Sequence, residues 1–174
     1  GAGTRFGSKK QFLSFQGRTL LDWTLRQASE LSPADQVVVV LPRRSEKVSL
    51  GPELEHQRLS REATMVAGGA TRHESIQLGI DQAVELGAGV NDLLAIFDAN
   101  RPLTELHVIR HCAEVARDTG AACPVVKPID GFGHVESGKV IYVPQRESSV
   151  LLQTPEIFRL GLYLDLPRQV RKDR

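Results

Sequence analysis

Short, uninterrupted apolar runs separated by stretches with helical periodicity are the feature that most constrains this chain. The clearest run is Val37-Val38-Val39-Val40-Leu41, ended by Pro42. A β-branched run with no polar alternation is what a strand buried on both faces requires, and parallel sheets covered by helices supply that setting. Ala63 to Ala67, Leu93 to Phe97 and Ala121 to Lys127 repeat the theme at intervals that leave room for a crossover helix between strands.

The intervening stretches fit helices. Between Thr19 and Leu31 the residues Leu20, Leu21, Trp23, Leu25 and Ala28 cluster at helical spacing, and Ser32-Pro33 supplies a stop. After Gly68-Gly69, Thr71 and Glu74 have capping-box spacing, and Ile76, Ile80, Ala83 and Val84 predict the apolar face of the helix that follows. Thr104 to Asp118 carries Leu106, Ile109, Ala113 and Ala116 at the same period. Arg43 to Arg61 is polar, with a turn at Gly51-Pro52, and predicts no element beyond a short helix. Gly131, Gly133 and Gly138 punctuate an alternating segment that ends near Tyr142 to Pro144, the pattern of a hairpin arm spanning about residues 128–146. The expected fold is a single α/β domain over residues 1–174, a mostly parallel sheet flanked by helices with a protruding β-arm. Ligands of such sheets bind at the carboxyl ends of the strands.

Composition narrows the function. A formal net charge of +1 provides no global field for nucleic acid or an anionic membrane, so neither is expected as a partner. One Trp and six Phe are too few and too scattered to form a stacking platform for single strands. No apolar stretch approaches the roughly 20 residues of a membrane-spanning helix, and Gly1 to Arg5 does not read as a signal peptide. Cys112 and Cys123 lack paired-motif spacing, which points to structural thiols in a reducing cytoplasm.

Three polar segments fall where strands should end. Gly1 to Gly7, followed by Lys9-Lys10, combines flexible backbone amides with the cations Arg5, Lys9 and Lys10. Bound phosphates call for that combination, because amides approach their oxygens closely only where side chains are absent. A solvated glycine-rich turn is the alternative. Asp98 closes the Leu93 to Phe97 run, where a carboxylate suits a Mg²⁺ shared with substrate phosphates, and Arg101 can clamp a second phosphate. Capping of the next helix, or an internal pair with Arg101, is the competing role for Asp98. His107 and His111 have the i,i+4 spacing of metal ligands but lack the Glu of a zinc-protease motif, so they read as solvated helix residues.

Taken in order, Gly1-Ala2-Gly3-Thr4-Arg5-Phe6-Gly7, Lys10-Gln11-Phe12-Leu13, Gly68-Gly69-Ala70-Thr71-Arg72 with Ser75, Asp98-Ala99-Asn100-Arg101-Pro102 and Gln153-Thr154-Pro155 resemble the 2-C-methyl-D-erythritol 4-phosphate cytidylyltransferase family over nearly the whole chain. The resemblance implies a Rossmann-like nucleotidyltransferase fold, CTP and Mg²⁺, and a homodimer formed by exchange of the β-arm. It implies Arg5 and Lys10 as charge-stabilising catalytic residues, and Gly1, Ala2, Gly3, Thr4, Gly69, Ala70, Ser75 and Ala99 as the nucleotide site. By the same likeness Asp98 holds the metal, while Arg101, Arg146 and Thr154 contact the sugar-alcohol phosphate. The reaction implied joins CMP to 2-C-methyl-D-erythritol 4-phosphate, giving 4-diphosphocytidyl-2-C-methyl-D-erythritol for isoprenoid precursor synthesis.

The sequence departs from the family pattern in places. Lys9 replaces a proline, Arg5 to Lys10 is about two residues shorter, and Asn100 replaces a small residue. Val126-Lys127-Pro128-Ile129-Asp130 replaces a Val-x-Asp-Thr pattern, and Gln145 replaces an Asp before Arg146. Asp165 does not match the family's second metal-binding acid. The chain is expected to lack the first strand and the C-terminal part of the family's domain. These departures keep two alternatives open, a ribitol-5-phosphate cytidylyltransferase making CDP-ribitol and a catalytically inactive CTP-binding homologue. A nicotinamide-linked oxidoreductase ranks last, since no GxGxxG follows a strand.

Overall fold

In the computed structural model of the chain, residues 10–31, 36–42 and 63–166 are described. Gly1 to Lys9, the stop at Ser32-Pro33, and the segment Arg43 to Arg61 for which only a short helix is predicted, lie outside them. The described part opens with a 3-10 turn at Lys10–Phe12 and a hairpin of β1 (Ser14–Phe15) and β2 (Arg18–Thr19). Its two-residue turn places Gln16 and Gly17 at φ 51° and 77°, the doubly positive geometry that suits tight hairpins.

Helix α1 (Leu20–Leu31) follows at once, and its start is held reciprocally. The Asp22 carboxylate accepts from the Thr19 amide at 2.8 Å, while the Thr19 hydroxyl oxygen accepts from the Asp22 amide at 3.1 Å. This cap, absent from the sequence-based reading, also satisfies the buried Asp22 side chain. Leu21 and Leu25 of α1 pack on Val39 of β3 (Val38–Leu41). Strand β3 pairs in parallel with β4 (Thr64–Ala67), from Val38 opposite Thr64 to Leu41 opposite Ala67.

Helix α2 (Arg72–Glu85) lies on the other face of β3, because successive strand residues point to opposite sides. A Cβ added at Gly79 would meet Val40 Cγ2 at 2.9 Å, so the absence of a side chain at Gly79 is what lets this helix sit so close. The continuous valine run is thus covered on both faces, as predicted. Ile80 and Ala83 are buried as expected, but Val84 is on the exposed side of the helix, since the buried stripe is narrower than the periodicity suggested.

Strand β5 (Leu93–Ile96) leads to α3 (Leu106–Thr119), which starts two residues later than predicted, after Glu105, and ends at Gly120 with φ 95°. Its inward face is Ile109, Cys112 and Ala116, with Ala113 only partly buried beside them. The Ala121 to Lys127 run is not one strand. It splits into β6 (Ala121–Ala122) and β7 (Val125–Val126), which join different ladders. Pro124, which has no amide to donate, stands between them.

The arm is a hairpin of β8 (His134–Glu136) and β9 (Lys139–Tyr142), turning through Ser137 and Gly138 at φ 47° and 77°. Every residue of both strands is exposed. Strand β10 (Leu151–Leu152) then pairs with β7.

Strand β11 (Glu156–Arg159), also unforeseen, inserts between β5 and β6 and runs antiparallel to both, before the short α4 (Leu160–Leu164). Strands β5 and β6 therefore share one direction, with α3 as the crossover. The architecture is the expected Rossmann-like α/β fold; among the described ladders β3–β4 is parallel, β5 and β6 share one direction, and β11 is an antiparallel insertion between them. Among the described residues no helix is long and apolar enough to cross a membrane. Both cysteines are free, and burial first, then the neighbouring Cys123, raises the pKa of the Cys112 thiol. Ile109 is 1% exposed at the junction of α3 and β11. Ile109→Ala is expected to cost about 2–5 kcal/mol, read as a lower denaturation midpoint in urea.

Candidate active site

Parallel strands deliver their following loops to one end of the sheet, and here those loops frame a cleft of about 480 Å³. Its polar end is formed by Lys10, Gln11, Ser75, Asp98, Ala99 and Asn100, and its apolar depth by β3 and β5 with residues of α1 and α2. Lys10 arrives on the 3-10 turn, Ser75 on the first turn of α2, and Asp98 to Asn100 on the loop after β5.

The loop between β4 and α2 is held by its own donors and acceptors. The Gly68 amide donates to the Leu41 carbonyl at 2.6 Å, extending the β3 edge. The Gly69 amide donates to Ser75 Oγ at 3.1 Å, and the Ala70 amide to Glu74 Oε2 at 2.6 Å. Thr71 and Glu74 complete the predicted capping box. Ser75 Oγ in turn donates to the Thr71 carbonyl at 2.9 Å. A Cβ on Gly69 would collide with Glu74 Cβ, so glycine is what allows the loop to close over the helix start. The Gly69 and Ala70 amides are thereby committed within the loop.

Asp98 is one-third exposed and lies between two guanidinium groups. Arg72 Nη2 is 3.4 Å from Asp98 Oδ1 and Arg101 Nε is 3.6 Å from Oδ2. Arg72 Nη2 is also 3.4 Å from Glu156 Oε1, and Arg101 Nη1 donates to Gln153 Oε1. The internal pair with Arg101 is therefore present. Helix capping by Asp98 is not, since α3 begins after Glu105. The Ala99 carbonyl accepts from the Thr24 hydroxyl at 3.3 Å, tying the loop to α1.

Of the residues singled out in the sequence, Lys10, Ser75, Asp98 and Ala99 line one cleft, Gly69 and Ala70 form the adjoining loop, and Arg101 reaches Asp98. Gly1, Ala2, Gly3, Thr4 and Arg5 lie outside the described residues. Thr154 is buried, with its carbonyl accepting from the Thr104 hydroxyl at 3.2 Å. Arg146 stands at the base of the arm, donates to the Ile129 carbonyl at 3.1 Å and does not line the cleft. His107 and His111 are well exposed beside Glu105 and Glu114, as solvated helix residues should be. Sequence reasoning missed Arg72 and Glu156. Arg72 stands inside the glycine-loop motif without an assigned role, and Glu156 has no signal until β11 is known to lie beside β5.

A Rossmann-like domain with a lysine, a carboxylate and a helix-capped glycine loop at its strand ends is the framework of a nucleotidyltransferase. The family model for 2-C-methyl-D-erythritol 4-phosphate cytidylyltransferase matches residues 1–173. The enzyme of that name from Geobacter metallireducens is 33% identical over 93% of this chain and 70% of its own length. A crystal structure of 2-C-methyl-D-erythritol 4-phosphate cytidylyltransferase from Thermus thermophilus superposes with a TM-score of 0.69 at 30% identity, covering 94% of this chain and 71% of that one. A crystal structure of a 4-diphosphocytidyl-2C-methyl-D-erythritol synthase reaches a TM-score of 0.76 at 22% identity, over 95% and 75% of the two chains, and supports the fold alone. This chain belongs to the 2-C-methyl-D-erythritol 4-phosphate cytidylyltransferase family.

The loop geometry sets an expectation for nucleotide affinity. Gly69→Ala should displace Glu74 and open the capping box, weakening CTP binding about tenfold, a change of about 1.4 kcal/mol by calorimetric titration. Unchanged affinity would mean that the closed loop is not what shapes the nucleotide side.

Proposed function

We propose that this protein transfers the cytidylyl group of CTP to 2-C-methyl-D-erythritol 4-phosphate, releasing pyrophosphate and giving 4-diphosphocytidyl-2-C-methyl-D-erythritol. The observation that carries the reading is the meeting of Lys10, Ser75, Asp98 and Ala99 at one cleft, in a chain that the family model matches over residues 1–173. A phosphate oxygen of the alcohol phosphate attacks the α-phosphorus of CTP in line, and the bond to the β-phosphate breaks as pyrophosphate leaves. No covalent enzyme intermediate is needed, so catalysis is positioning and charge stabilisation.

In this reading Lys10 faces the phosphates from the cleft rim, and Arg5 adds a second cation. Gly1, Ala2, Gly3 and Thr4 cradle the phosphates, and the loop of Gly69 and Ala70, with Ser75 and Ala99, holds the cytidine. Arg101, beside Asp98, Arg146 and Thr154 serve the acceptor phosphate.

Mg²⁺ fits the donor chemistry of the site. Asp98 offers a hard carboxylate at the cleft mouth, and Mg²⁺ is commonly held by one or two carboxylates together with substrate phosphates and water. Among the described residues no cluster of three or more His, Cys, Asp or Glu side chains competes for such an ion. Bound at Asp98, the ion would offset the negative charge of the reacting phosphates. We further propose a cytoplasmic homodimer paired through the β8–β9 arm, whose exposed Val135, Val140, Ile141 and Tyr142 suit burial against a second copy.

The direct test incubates the full-length protein with CTP and Mg²⁺ and either 2-C-methyl-D-erythritol 4-phosphate or ribitol 5-phosphate, and measures pyrophosphate. Release with the methylerythritol substrate alone is expected. Release with ribitol 5-phosphate alone would reassign the acceptor, and silence with both despite bound CTP would leave a binding protein. Lys10→Ala is expected to lower turnover on the order of 10²–10³-fold, the scale of one lost charge-stabilising donor, a far larger effect than its effect on the melting temperature.

A further inference from the structure

The ion pairs around Asp98 contain two members, Arg72 and Glu156, whose roles the reaction above leaves open. Arg72 is the first residue of α2, and its Nη2 stands 3.4 Å from both Asp98 Oδ1 and Glu156 Oε1. Arg101 Nε stands 3.6 Å from the other Asp98 oxygen. Both carboxylate oxygens of Asp98 therefore face a guanidinium, and an oxygen so engaged is a poor ligand for a cation: its negative charge is already shared, and the guanidinium repels an approaching metal. Two carboxylates and two guanidiniums balance within this group.

We infer that Glu156 is a positioning residue that gives Arg72 an alternative partner, so that Asp98 can turn from the arginine to a divalent cation arriving with the nucleotide. The inference rests on the reading of Asp98 as the cation ligand. The β11 register sets Glu156 opposite Ile96, two residues before Asp98, so a carboxylate at position 156 is carried to the end of the strand that bears the ligand. Half-exposed side chains at Arg72 and Glu156 leave the guanidinium free to shift its balance between the two acids without repacking the core. When Asp98 binds a cation, Arg72 keeps Glu156 and retains one compensated charge. Without Glu156, Arg72 has Asp98 as its sole carboxylate in this group and competes with the metal for it. Arg101 has its own second partner in Gln153, so the two arginines are arranged alike.

The test is direct binding of Mn²⁺, a paramagnetic stand-in for Mg²⁺, to the full-length protein with CTP present, read as the loss of the free-ion electron paramagnetic resonance signal beyond that caused by the same CTP without protein. Glu156→Gln should weaken Mn²⁺ binding about threefold, the scale of one exposed ion pair. In a background of Arg72→Gln the same change should have no effect, because the competitor is gone. Equal Mn²⁺ binding by the unaltered protein and Glu156→Gln would overturn the inference alone. So would a loss on Glu156→Gln that persists in the Arg72→Gln background, which would make Glu156 a ligand in its own right. Absence of Mn²⁺ binding by the unaltered protein would overturn the reading of Asp98 and this inference with it.

Discussion

Strand β11 ties the two sides of the site together. Its pairing sets Glu156 opposite Ile96 and Arg159 opposite Leu93, while Ile157 and Phe158 pair with Ala122 and Ala121 on the other edge. A single four-residue strand thus closes the gap between β5 and β6 and buries Ile157 against Ile109, Cys112 and Ala116 of α3. The same register fixes the site, because the residues just before β11 and those just after β5 must then meet. Gln153 reaches Arg101, Thr154 receives the Thr104 hydroxyl, and Glu156 shares Arg72 with Asp98. Core burial and site assembly follow from one set of backbone hydrogen bonds, so loosening β11 would affect both.

The opposite wall is organised by the start of α2 rather than by strand pairing. A helix leaves its first amides without intrahelical partners, and here side chains of the first turn supply them. Thr71 and Glu74 satisfy them reciprocally, Glu74 also takes the Ala70 amide, and Ser75 takes that of Gly69. These hydrogen bonds define the shape of the loop. Gly79, one turn further into the helix, lets the same element lie close to Val40. The shape of this wall therefore has two local causes, a cap and a close helix–strand approach, both visible as residue types.

What was legible in the sequence is what depends on neighbours in the chain. The valine run, the Thr71 and Glu74 cap, the hairpin arm and the helical period between Thr104 and Asp118 follow from periods and spacings of a few residues. The positions of Lys10, Ser75, Asp98 and Ala99 at one cleft also follow, since loops after parallel strands gather at one end of the sheet. What escaped depends on residues far apart. Nothing in Glu156-Ile157-Phe158-Arg159 marks a strand until β5 and β6 supply two edges for it, and its four residues are too short for an alternation to declare itself. The break at Cys123-Pro124 is legible in principle, as proline removes a ladder donor, yet the apolar content of Ala121 to Lys127 hides it. Arg72 belongs to a legible motif, but its partners lie 26 and 84 residues away.

The strength of the ion pairs at Asp98 bears on how such a site works. Contacts at 3.4–3.6 Å between partly exposed groups contribute little to stability, commonly under about 1 kcal/mol. A buried, tightly hydrogen-bonded pair would hold Asp98 more firmly and would be costly to break. Weak, shared pairing orients the carboxylate without locking it, and keeps both guanidiniums beside it. Weak pairs of this kind let a carboxylate change partners at little cost.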